Sequence, residues 1–94
     1  MTNAKETKTK RVEINGKKYA VDMSKANSWT AAKMIAEMNS IDDDMKRGAL
    51  AIRFADFILG SEMDKVVKAC GGDKATAEDV LNLAYQIISE ASKN

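Results

Sequence analysis

RVEINGKKYAVDM, residues 11–23, decides how the rest of the chain has to fold. Val12 and Ile14 alternate with charged residues, Asn15-Gly16 comes next, and Tyr19 and Val21 alternate again. Period-two alternation places these apolar side chains on one face of a ribbon. Asn-Gly is the preferred pair for a two-residue turn whose two residues both take positive φ. The stretch therefore predicts a β-hairpin over residues 11–22. Two strands alone are marginally stable in water, so the apolar face must rest on something. The C-terminal three quarters of the chain supplies helices for it.

Working outward, a first helix is expected from Ser24 or Ser28 to about Asn39, with Ala31, Met34, Ile35 and Met38 recurring at three- and four-residue spacing. Trp29, near its start, is placed to cover the hairpin. SIDD, residues 40–43, reads as a capping box that opens a second helix at Ser40. Asp42, Asp43 and Asp44 then fall in a first turn, where the helix dipole favours negative charge. The expected apolar row of that helix is Met45, Ala49, Ile52, Ala55 and Leu59, widened by Leu50, Phe54, Phe57 and Ile58. So broad an arc suits the central helix of a bundle. Gly60 ends it, and SEMD, residues 61–64, reads as a further capping box. Met63, Val66, Val67 and Cys70 share one face of the next helix, Gly71-Gly72 stops it, and Thr76 caps the last. There Val80, Leu83, Ala84, Ile87 and Ile88 form the stripe, with Tyr85 at its flank. The expected class is α+β, mainly α: a hairpin packed on a bundle of about four helices.

Ninety-four residues, 45% apolar and 31% charged, fit a single domain. MTNAKETKTK, residues 1–10, has no periodic apolar residue and reads as a disordered lead-in. Residues 11–94 form the domain, with a helical body over 24–92. One cysteine, no signal-type apolar run and no membrane-length apolar segment point to a soluble, cytoplasmic protein. Residues 1–25 carry seven basic against three acidic side chains, and residues 26–94 eight against eleven. A basic arm on a mildly acidic body would suit nucleic acid, but the three later helix starts are acidic and no helix reads as a recognition helix.

Reactive chemistry finds little footing. Cys70 lacks the histidine base that a thiol nucleophile uses, because the chain has none. CGGDK, residues 70–74, lacks the glycine spacing and Lys-Ser/Thr pair of a phosphate-binding loop. Counting an EF-hand loop from Asp42 puts Arg47 and Arg53 where glycine and glutamate are required. Glu62 with Asp64, and Glu78 with Asp79, lie in first turns where capping accounts for them. The expectation is a non-enzyme without cofactor or metal. Six methionines remain notable. Flexible thioethers suit adaptable apolar contacts, so Met38, Met45 and Met63 are the candidate partner-binding residues, with core filling as the competing role.

The pair EINGKKYAVDM (13–23) and FADFILGSEMDKVVKACGGD (54–73) resembles the small tail assembly chaperones of long-tailed phages and prophages. Those proteins combine a short N-terminal hairpin with a helical body, and the likeness spans about residues 11–90. The resemblance implies a non-enzymatic protein of the host bacterial cytoplasm. It would bind apolar helical segments of the tape-measure protein, keep them soluble during tail assembly, and often self-associate. It supplies no fixed site pattern. The alternative is a small nucleic-acid-binding or regulatory protein using the basic arm and hairpin.

Overall fold

The computed structural model describes residues 9–93. Strand β1 (Thr9–Ile14) pairs antiparallel with β2 (Lys17–Asp22), Ile14 opposite Lys17 and Thr9 opposite Asp22. Asn15 and Gly16 turn between them at φ 53° and 82°. This is the positive-φ pair that a two-residue turn needs to match the strands' twist. The ladder begins at Thr9 rather than residue 11, so Thr9 and Lys10 belong to the sheet and not to the disordered lead-in. Residues 1–8 of that expected segment lie outside the described residues.

Five α-helices succeed the hairpin among the described residues. The expected first helix is two: α1 (Met23–Ala26) and α2 (Trp29–Ser40). Asp22 opens α1, its carboxylate accepting from Ser24 N at 2.9 Å and Lys25 N at 3.4 Å. Ser28 opens α2, its Oγ accepting from Ala31 N at 3.1 Å. Ser40 does not start the next helix. It ends α2, its hydroxyl donating to the Glu37 carbonyl at 2.9 Å. Ile41 is extended, and Asp43 caps α3 (Asp44–Leu59) by accepting from Met45 N at 2.8 Å and Lys46 N at 3.2 Å. A carboxylate is the stronger acceptor for orphan N–H groups, and Asp43 won the position.

Gly60 closes α3 as expected, but at φ 54° and ψ −126°, a conformation open to glycine that lies outside the left-handed helical cap. Ser61 caps nothing: Gly60–Glu62 is a single 3₁₀ turn that runs directly into α4 (Met63–Ala69). A second 3₁₀ turn, Gly72–Lys74, leads to α5 (Ala77–Ser92). Thr76 caps α5 through Oγ1, which accepts from Asp79 N at 3.1 Å.

The core gathers Val12, Ile14, Tyr19 and Val21 from the hairpin, Phe54 and Ile58 from α3, Val66 from α4, and Ala84, Ile87 and Ala91 from α5. Fully buried Ile58 and Ile87 each contribute about 1.5–3 kcal/mol of hydrophobic stabilisation. Two expectations fail here. Trp29 is 77% exposed and does not cover the hairpin; Met23, buried beside the strands, belongs to its core instead. The buried row of α3 is Ala51, Phe54, Ala55, Ile58 and Leu59, while Met45, Ala49 and Ile52 face outward. Two apolar rows overlap on this helix. The inward one adds Phe54 and Ile58, which fill the core beside Ala51 and Ala55, whereas Met45 and Ile52 of the other remain exposed.

Candidate docking groove

Helix α3 lies between α2 and α5 and leaves a groove along its outer side, of about 660 Å³. Ala51 and Phe54 of α3 form its floor, Ile35 and Met38 of α2 one wall, Tyr85 and Ile88 of α5 the other. Phe54 and Tyr85 meet edge to face, with centroids 6.1 Å apart and planes at 73°, a favourable aromatic geometry. The Tyr85 hydroxyl donates to Met38 Sδ at 3.6 Å, so the two walls touch across the floor. Ile35 and Tyr85 remain partly exposed, giving the groove an accessible apolar rim.

One end is polar. Arg47 donates through Nε to the Met38 carbonyl at 3.4 Å, through Nη2 to the Ile41 carbonyl, and through Nη1 to Asp44 at 3.0 Å. A guanidinium here satisfies the orphan carbonyls ending α2 and complements that helix's negative pole. Sequence reading missed this role because Arg47 reaches backward to another helix; the one available signal was a basic residue soon after a helix end. Gly48 also lines the groove, and a Cβ built there meets nothing within 4 Å. Its missing side chain is part of the groove's depth.

The three candidate methionines are not brought together. Met38 lines this groove. Met63 lines a second hollow of about 390 Å³ between α3, α4 and the start of α5, with Val67, Val80 and Leu81. Met45 lines neither and is 86% exposed on the first turn of α3. Both Met38 and Met63 also pack against the core, so each fills space and borders a cavity at once.

The reactive candidates have structural partners. Cys70 is half-buried, and its thiol donates to the Asp79 carbonyl at 3.5 Å. Burial pushes this thiol above its ordinary value, and the Asp79 charge adds to that. Less thiolate at neutral pH means a poorer nucleophile. Glu62, read from sequence as part of a cap, instead accepts from Ala20 N at 2.9 Å and pairs with Lys65 at 3.2 Å. It fastens β2 to the α3–α4 junction. In the acidic triplet, Asp43 caps and Asp44 pairs with Arg47. Among the described residues no group of three or more His, Cys, Asp or Glu could hold a metal ion. Nor, among them, is any helix long and apolar enough to cross a membrane. The chain matches no protein family, no curated protein and no solved structure.

Proposed function

We propose that this chain is a non-enzymatic assembly chaperone of the phage-tail type, acting in the host bacterial cytoplasm by covering apolar helical segments of a tape-measure protein. One observation supports this reading above the others: the apolar groove over α3, with an exposed rim and adaptable Met38 in its wall. Helix-in-groove recognition needs an apolar trough with few polar groups at its margin. Arg47, Asp44 and Asn39 at one end supply such a margin. The client's apolar ridge would lie along α3, and release would result from the modest area covered.

Co-expression with a tape-measure protein, or with its apolar helical segments, tests the idea by the client's soluble fraction. Gly48→Leu fills the groove while exchanging a poor helix former for a good one, worth up to about 1 kcal/mol to α3. Urea unfolding should show an unchanged or raised midpoint, and client solubilisation should be lost. Met38→Lys should also abolish it. Clients solubilised equally well by both folded variants would refute the groove as their site. Client binding should hardly change with salt, whereas a nucleic-acid complex would weaken steeply.

A further inference from the structure

We propose that the free edge of β1 pairs with β1 of a second copy of this chain, in one register that its own charges select. The inference is independent of the groove and its client. In a two-residue hairpin closed by Ile14 and Lys17, hydrogen-bonded pairs recur at Val12–Tyr19 and Lys10–Val21. Arg11 and Glu13 therefore aim their backbone N–H and C=O groups away from β2. The phase has an internal check: Ala20, opposite Arg11, likewise turns its N–H outward, and there Glu62 accepts it. The two edges thus differ. The β2 edge meets a carboxylate from the α3–α4 junction, whereas among the described residues nothing bonds the outward groups of Arg11 and Glu13.

An unpaired edge is a template for another strand, and a two-fold axis makes the partner edge identical. Antiparallel self-pairing requires outward groups to face outward groups, which allows only registers centred on a single residue. Centring on Arg11 opposes arginine to arginine, on Glu13 glutamate to glutamate, and on Lys10 lysine to lysine. Centring on Val12 opposes Arg11 of each copy to Glu13 of the other, twice, with the two valines in contact on the face that packs against the helices. Like charges directly opposite destabilise a strand pair and unlike charges support it. Adjacent strands are about 4.8 Å apart, so the centres of the two hairpins would lie about 10 Å apart. That is the ordinary distance between packed helices, and α5 contacts both strands of its own hairpin. The product is a four-stranded sheet built from two marginal ones.

Sedimentation of the full chain up to about 1 mM, a range suited to weak association, should show a concentration-dependent dimer. Amide exchange at Arg11 and Glu13 should slow as the dimer forms. Arg11→Glu should weaken association about tenfold, through lost pairs and new repulsion. The double swap Arg11→Glu with Glu13→Arg should restore it when Lys18→Glu is added, because Lys18 faces position 13 within the same hairpin and must keep an opposite charge there. All three positions are solvent-facing, and circular dichroism verifies the fold of each variant. A monomer throughout the range would overturn the proposal. So would a dimer with unprotected Arg11 and Glu13 amides, failure of the swap carrying Lys18→Glu, or protection already complete in dilute monomer, which would mean that the same chain covers its own edge.

Discussion

Glu62 shows how much a single side chain can hold here. Its carboxylate is partly buried, satisfies the outward N–H of Ala20 and pairs with Lys65. A hydrogen bond to a charged group is worth more than a neutral one, and an orphaned N–H costs further. Glu62→Ala should therefore destabilise by about 1–2 kcal/mol, read from the urea midpoint. Glu62→Gln retains an acceptor and should lose less than half of that. Equal losses for both would assign the effect to packing of the side chain rather than to its oxygen. Position 62 looked like an ordinary first-turn acid in the sequence. Only the fold reveals the strand edge, 42 residues away, that it serves.

At the scale of elements, the contest between Ser40 and Asp43 is directly measurable. Asp43→Ala should cost about 1 kcal/mol, the usual loss of an N-cap. Ser40→Ala, removing only a bond back to the Glu37 carbonyl, should stay within about 0.5 kcal/mol. Denaturant titration of the two single variants decides it. Hairpin, glycine stops and the α5 cap were legible because each depends on residues within four positions of one another. Asn15-Gly16, Gly60 and Thr76 carry their conformational reasons locally. The α3 stripe was not legible, since either of two overlapping rows satisfies the helical period and the neighbours choose between them. Trp29 was misread for the same reason: size argues for burial, but α2 presents that position to solvent. The groove was legible only in part. Methionine content pointed to Met38, yet Arg47, Gly48 and Tyr85 gain their roles from elements far away in sequence.

For the whole molecule, the titration of buried groups predicts how stability depends on pH. Burial raises Tyr19, Cys70 and Tyr85 above ordinary values of 10.0, 9.0 and 10.0. For Tyr19 the charges of Cys70 and Glu62 add to the rise and Lys65 opposes it. All three groups are neutral when protonated. Below those ordinary values folded and unfolded chains hold the protons alike, and this contribution to stability is intact. As pH climbs past 9.0 and then 10.0, the unfolded chain releases its protons first. Stability should fall until the folded groups ionise as well. Urea midpoints between about pH 8 and 11 should decline, and the double variant Tyr19→Phe, Cys70→Ser should decline less steeply across the same range. An unchanged slope would show that these groups ionise alike in both states.

The hairpin rests against α5, and the Lys10 ammonium reaches the Lys93 carbonyl at 3.2 Å, across 83 positions of chain. A hairpin closes within microseconds once its residues are available. Its greasy side is touched by α1 and α3 as well, but the cover is incomplete until α5 has been made, so the sheet cannot seal before that helix exists. Synthesis from the N-terminus thus leaves the ribbon waiting for α5, and these two elements, far apart in the chain, should let go together on opening.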